Sequence, residues 1–304
     1  MRRLWKRREV LATGIACGAI PVIGFGDEAA TMRTAIIPTT GEALPVIGLG
    51  TYNVFDVEST EAEIASKQEI ARLLIAGGGS VVDTSPMYNR SEKVIGDVIK
   101  AGIDRGDMFL ATKVWTYGRD AGIAQMRRSA ELMNTDVIDL MQVHNLRDTD
   151  IHMNTIREWQ DDGQIRYSGI THYTASALEA LEREMRTYKP QFIQINYSLG
   201  EREAEKRIFP LAQELGIAVL VNRPFQAGRL FQAVAGLSLP DFAEDYADSW
   251  GQFFLKFIVS HPAVTCAIPA TSKAKHMSDN LGAGFGELPD PYMRQRMLNF
   301  FETL

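Results

Sequence analysis

Three stretches of the chain end an apolar, β-rich run on side chains that can give or take a proton. VVDTSPMY places Asp83 and Tyr88, ATKVW places Lys113, and QVHN places His144. A carboxylate directly after Val81 and Val82 is costly to bury unless something pairs with it, and Lys113 is the cation expected to do so. A free tyrosine titrates at ~10, too high to give up a proton readily near neutral pH. An ammonium beside it favours phenolate and is expected to lower that value. Lys113 would take this role, with Asp83 keeping the lysine charged and oriented. His144 would hydrogen-bond a substrate oxygen and aim it at Tyr88. Such a group protonates an oxygen as charge develops on it, and its natural partner reaction is hydride delivery to a carbonyl carbon. Each residue alone has a purely structural explanation: Asp83 as a turn cap, Lys113 as a surface residue, His144 as a core histidine. Their shared place at the ends of consecutive strand-like runs argues for one pocket.

That convergence requires an architecture. β-rich runs begin at Val46, Val81, Phe109, Asp139, Tyr167, Phe192, Ala218 and Val264. Between most of them lie stretches with helical spacing, such as EAEIASKQEIARLLIAGGG. There Ile64, Ile70, Leu73 and Leu74 share a face and Gly77 is a stop signal. Successive runs start about 25–35 residues apart, the size of one βα unit. The alternation predicts an α/β fold, a closed (β/α)8 TIM barrel, whose strand C-termini face the active site. A Rossmann-like sheet is the alternative, prompted by GFGDEA and GLGTYN. Neither completes GxGxxG, and neither opens a helix with an acid about 20 residues on. PFQAGRLFQAVAGLSLPDF reads as a long loop or small extra element, and PDPYMRQRMLNFFETL as a packed amphipathic helix.

Residues 1–26 differ in kind from the rest. They hold five basic residues and one acid, and without them the net charge moves from −6 to −10. An acidic body argues against nucleic acid and anionic membrane as partners. KRREVLATGIACGAIPVIGFG has a basic start, a mildly apolar Gly- and Ala-rich middle and small residues at its end. It resembles a twin-arginine export signal with Arg7 and Arg8 as the pair, cleaved after Gly26. The expected organisation is a signal over 1–26 and one barrel domain over 27–304, with a transient contact to the twin-arginine export machinery and a periplasmic location. The competing reading is a frayed N-terminus on a cytoplasmic protein. Of the two cysteines, Cys17 lies in the first segment and Cys266 in the apolar run VTCAIP, where it reads as a small buried hydrophobe. No CxxC, HExxH or tight His/Cys set occurs, so no metal is expected.

In order and spacing, DTSPMY, ATKVW and QVHN resemble the Asp-Tyr-Lys-His tetrad of the aldo-keto reductases. LPVIGLGTY resembles that family's first strand, FIQINYS its sixth, and IPATSKAKHMSDNL its cofactor segment after the eighth; the resemblance runs from about Val46 to Leu281. It implies a monomeric (β/α)8 barrel that binds NADPH, or less often NADH, and reduces a small aldehyde or ketone to an alcohol with Tyr88 as general acid. Asp83, Tyr88, Lys113 and His144 match the tetrad. Gln194 matches the residue that contacts the nicotinamide carboxamide, and Gly50, Thr51, Thr171, His172, Asn222 and Arg223 complete that part of the implied cofactor site. Pro224, Phe225, Gly228 and Arg229 resemble the loop that folds over the pyrophosphate. Ala270, Thr271, Ser272, His276, Asp279 and Asn280 occupy the adenosine-side positions. Tyr52 and Trp115 are aromatic where the family lines its substrate pocket.

Three departures stand out. Thr171-His172 replaces the Ser-Asn found in many members. Asn222, followed by Arg223, replaces an aromatic that stacks on the nicotinamide, so polar contacts are expected to hold the ring instead. Ala270 and His276 stand where strongly NADPH-selective members carry Lys and Arg, leaving Lys273 and Lys275 as point charges. The altered nicotinamide side is also the basis of a second reading, a nicotinamide-binding regulatory or sensor subunit with little turnover.

Overall fold

The computed structural model describes residues 31–304; the expected export signal over 1–26, with Cys17, lies outside the described residues. An antiparallel hairpin comes first, β1 (Thr34–Ile36) and β2 (Ala43–Pro45). It is followed by β3 (Leu49–Gly50), β4 (Val81–Asp83), β5 (Phe109–Val114) and β6 (Ile138–His144). The remaining strands are β7 (Ile165–Thr171), β8 (Phe192–Asn196), β9 (Ala218–Asn222) and β10 (Cys266–Ala267). These eight pair in parallel in chain order from β3 to β10. Bridges between Ile47 and Ala267 and between Gly50 and Ala270 join the first to the last, closing the (β/α)8 barrel.

The helices between the strands are α1 (Glu61–Ala76), α2 (Ser91–Lys100), α3 (Arg119–Leu132), α4 (Thr149–Asp161), α5 (Leu178–Tyr188) and α6 (Ile208–Leu215). After β9 come α7 (Arg229–Ala233) and α8 (Trp250–Val259), and after β10 come α9 (Ala274–Gly282) and α10 (Pro291–Phe301). The segment expected as a long loop thus contains the short α7, and the C-terminal tail is a helix capped by Asp290, which accepts from Met293 N–H. α1 shows why such segments fold. Thr60 Oγ1 accepts from Glu63 N–H at its start, Glu61 and Glu63 offset the positive helix end, and Gly77 ends it. Ile70, Ala71 and Leu74 are buried, while Ile64 and Leu73 lie half-buried beside them.

Strand side chains alternate between lumen and helix layer, and that parity sorts the chain. Val81, Phe109, Ala111, Leu140, Tyr167, Phe192, Ala218, Leu220 and Cys266 form one apolar cluster inside the barrel. The hairpin adds Ile37 and Leu44 to it, plugging the end at which the strands begin. The sequence reading missed this hairpin, because its two strands are only three residues long. Val82, Leu110, Met141, Val143, Ile170, Ile193, Val219 and Val221, one step out of phase, belong to the larger core beneath the helices. Cys266 is fully buried among apolar neighbours and its thiol is pushed up by burial, so it is a packing residue.

Closure depends on a close backbone approach. A Cβ on Gly50 would lie 2.7 Å from the carbonyl oxygen of Ile268 across the seam, while Gly50 N–H donates to Pro269 O at 3.1 Å. Gly50→Ala is expected to lower stability by about 1–3 kcal/mol through overpacking, read as a lower urea midpoint with an unchanged slope; a midpoint equal to the wild type would show that the seam has slack.

Candidate active site

Moving two residues along each lumen-facing series passes from the apolar plug to polar side chains. Val81 leads to Asp83, Ala111 to Lys113, Leu140 to Gln142 and His144, Phe192 to Gln194 and Asn196, Leu220 to Asn222. Register sets the heights: Gly50 pairs with Asp83, Lys113 with Gln142, His144 with Thr171, and Asn196 with Asn222. The C-terminal end of the lumen is therefore a polar layer on an apolar base. Gly169 makes room for it, because a Cβ there would lie 2.9 Å from Gln142 Cγ.

At the centre is an ion pair. Lys113 Nζ donates to Asp83 Oδ1 at 2.9 Å and Oδ2 at 2.8 Å, and to Thr84 O at 2.7 Å. The lysine is 0% exposed. Asp83 Oδ1 also accepts from Gln194 Nε2 at 2.6 Å and Gln142 Nε2 at 3.2 Å. Burial alone would pull Lys113 down, but Asp83 and Tyr88 outweigh it and the ammonium lies above the ordinary lysine value. Losing one partner of such a pair typically costs about 3–5 kcal/mol, because it strands a buried charge.

Tyr88 hangs over this pair, with Lys113 Nζ 5.2 Å from its ring centroid, and Tyr52 packs edge-on at 5.0 Å. Here the structure corrects the sequence reading. The phenol is raised, not lowered: burial pushes it up, Lys113 pulls it down, and Asp83 pushes it up again. A carboxylate locked onto the ammonium cancels much of its field, so desolvation decides, and Tyr88 is held as a protonated donor.

His144 is held neutral. Burial, helped by the positive charges of Lys113, His172 and Arg147, lowers it to about 3. Its Nδ1 lies 3.4 Å from Ser85 Oγ, which already accepts from Met87 N–H at 3.2 Å. With that oxygen already an acceptor, the serine hydrogen is available to Nδ1, an arrangement that places the imidazole hydrogen on Nε2. Trp115 lies beside this ring, centroids 6.5 Å apart.

The expected cofactor side is laid out around the same rim. Thr171 Oγ1 donates to Gln194 Oε1 at 3.3 Å, and Asn222 Nδ2 donates to the same oxygen at 3.4 Å. Thr51 donates through both N–H and Oγ1 to Asp83 O, fixing the first strand end. His172 Nδ1 accepts from the N–H groups of Tyr173 and Thr174. Asn222 Oδ1 and Asn196 Oδ1 are buried acceptors with no hydrogen-bond partner. A nicotinamide carboxamide brings N–H donors of the kind they lack, so the residues present suit that group. In the next loop Arg223 and Arg229 are exposed and Pro224 is buried, Phe225 packs at a tilt against Phe231, and Gly228 takes a left-handed conformation. Beyond β10, Ala270, Ser272 and His276 are exposed, while Thr271 Oγ1 accepts from Lys273 N–H. Asp279 accepts from Ser249 Oγ and Gln252 Nε2, and Asn280 is buried. The Asp279 side chain is committed to the contact between α9 and α8.

A model of the aldo/keto reductase family matches residues 46–295. The chain belongs to the aldo/keto reductase family. It is 28% identical over 262 residues to a methylglyoxal reductase of Escherichia coli, covering 82% of this chain and 89% of that one. To a glyoxal reductase of Bacillus subtilis it is 26% identical over 247 residues, 79% of this chain and 83% of that one. Among solved structures, an aldo/keto reductase from Klebsiella pneumoniae in complex with NADP and acetate superposes with a TM-score of 0.76 at 24% identity, covering 88% and 95% of the two chains. That likeness carries the barrel fold.

Two residues of this reductase's pocket were present in the quoted motifs without a role, Ser85 in DTSPMY and Gln142 in QVHN. Gln142 was detectable: it lies two residues before His144 on an otherwise apolar buried strand, hence on the same face. Ser85 follows its strand in an irregular turn, where parity says nothing.

A histidine whose folded pKa is depressed takes its proton more readily when unfolded. Stability therefore falls with pH from 6.5 down to about 3, the loss being complete below that range and absent above it. Urea titrations across this range should show a shallower decline for His144→Gln than for the wild type. Parallel curves would mean that His144 takes up its proton as readily folded as unfolded.

Proposed function

We propose that this chain reduces the carbonyl group of small aldehydes or ketones to an alcohol, with NADPH as hydride source and NADH as the less favoured alternative. The observation that carries it is the stack at the lumen mouth: a charged Lys113 locked to Asp83, a protonated Tyr88 above it, and a neutral His144 whose Nε2 hydrogen is unspent. When bound, the reduced nicotinamide supplies the hydride; Gln194, Thr171, Asn222 and Asn196 would hold its carboxamide. The remainder of the chemistry belongs to the chain. His144 Nε2–H donates to the substrate oxygen and fixes its direction. As the carbonyl carbon takes the hydride, the π pair moves onto oxygen, and Tyr88 O–H gives its proton to that oxygen. A phenolate is left, and Lys113, already pulling on the phenol, stabilises it. Asp83 keeps the lysine in place and, with Gln142 and Gln194 on its own oxygen, is held in place in turn. Lys113 thus acts after the proton has left rather than by acidifying the phenol beforehand.

Names of the relatives, a glyoxal reductase and a methylglyoxal reductase, support small carbonyl compounds as the substrate class, and NADP in the Klebsiella structure supports the cofactor. A sensor subunit with little turnover would have no use for a complete proton-donating site. Tyr88→Phe is expected to lower kcat for an aromatic aldehyde by about 10²–10⁴-fold while NADPH still binds, read by fluorescence titration. Turnover equal to the wild type would remove Tyr88 from the role of acid.

The export reading is part of the same proposal: the barrel folds and loads its cofactor first, and the twin-arginine machinery then carries it out to the periplasm. Its support is the Arg7-Arg8 pair ahead of a weakly apolar, Gly- and Ala-rich stretch. Fractionation should find a shortened chain in the periplasm and a full-length one in the cytoplasm once both arginines are replaced by lysine. Equal distribution of the two forms would refute the signal.

A further inference from the structure

On the rim beside His144 stands a cation that the reaction does not use. Arg147 Cζ lies 3.6 Å from the Trp115 ring centroid and 4.6 Å from that of Tyr117. Nearby arginines are spoken for: Arg119 pairs with Glu158 at 2.6 Å, and Arg157 donates to Tyr188 O. Among the described residues Arg147 makes no ion pair and no side-chain hydrogen bond. Stacking occupies the face of a guanidinium and leaves its N–H edge open, the geometry suited to a planar carboxylate. The adjacent Asp148 forms no ion pair with it; its carboxylate is turned to Gly118 N–H, from which it accepts at 2.8 Å.

The loop that presents Arg147 is held in a costly shape. Asn145, Leu146 and Asp148 all have left-handed backbone angles, with φ of 54°, 54° and 48°; Asn and Asp tolerate that region, but a leucine keeps it only when its surroundings impose it. The clamps are visible: Asn145 N–H donates to Thr171 O, and Arg147 N–H donates to His144 O. The side of the rim also matters. Implied cofactor residues come from the ends of β7 to β10 and from β3, whereas Arg147, Trp115 and Tyr117 come from the ends of β5 and β6. With Trp115 6.5 Å from the His144 ring, the guanidinium lies within about 10 Å of the imidazole.

We propose that Arg147 is a specificity-determining residue that receives the carboxylate of an oxo-acid substrate, whose carbonyl lies a few carbons away at His144 and Tyr88. This rests on the carbonyl-reductase reading above and narrows it to anionic aldehydes and ketones. Trp115 then has two tasks, lining the pocket and holding the guanidinium flat.

The test compares terephthalaldehydic acid with its methyl ester, nearly the same shape without the charge. In Arg147→Leu, the ratio of kcat/KM for the acid to that for the ester should fall about 10–100-fold, the value of a charge-assisted hydrogen-bonded pair, and it should fall through KM. Arg147→Lys, which keeps the charge without the fork, should lie between. A second readout needs no turnover: calorimetric affinity for the product, para-(hydroxymethyl)benzoate, should weaken in the same order. An unchanged ratio with unchanged product affinity overturns the proposal while leaving the reductase intact. If neither aldehyde is reduced even by the wild type, the reductase reading fails, and product affinity alone then decides on Arg147.

Discussion

The buried pair of Lys113 and Asp83 is the interaction on which the rest of the molecule depends. Two ions taken out of water are costly, and mutual attraction repays that cost only when geometry is good and leftover donors and acceptors are met. Here Asp83 Oδ1 accepts from Lys113, Gln142 and Gln194, and Lys113 finds Thr84 O as a further acceptor. Four different strands supply those groups. Apolar pairs of similar volume often stabilise a core as well as a buried ion pair does, so stability alone gives little reason for this one, and chemistry gives a direct reason. It can raise a cation beneath Tyr88 without leaving it free to titrate.

The reach from Asp83 on β4 to Gln194 on β8, four strands away, requires a closed barrel. In an open sheet the edge strands would lie far apart, and β3 with Gly50 and Thr51 could not meet β10 with Ile268 and Ala270. Closure brings both ends of the chain's strand order to one mouth. Alternation along each strand does the remaining sorting, with the hairpin plug and the apolar lumen cluster below and the polar layer above. The rim is then free to vary, and there Arg147 is stacked on Trp115 and Tyr117 at the one edge that implied cofactor residues leave open.

Much of this is legible in the chain itself. Eight β-rich runs, each ending at a recognisable position, led to a barrel and to Asp83, Tyr88, Lys113 and His144 at neighbouring strand ends. Gln142 could have been found by the same parity rule. Ser85, the hairpin and the Arg147 loop could not, since each lies in short or irregular backbone where spacing carries no directional information. Nor could the direction of the Tyr88 shift. The sequence offers an ammonium and suggests a lowered phenol, but the balance among burial, Lys113 and Asp83 depends on distances.

Periodicity and residue type are local properties, so the chain carries in itself the order of strands and the chemical identity of the groups at their ends. Tertiary structure alone decided which of those groups neutralise one another and which remain free. Asp83 and Lys113 lie 30 positions apart and Asp83 and Gln194 lie 111 apart, yet all three meet in one hydrogen-bonded cluster. Electrostatic fields in a buried site depend on that three-dimensional cancellation. VVDTSPMY therefore names a proton donor, and only the folded barrel shows that burial keeps it protonated.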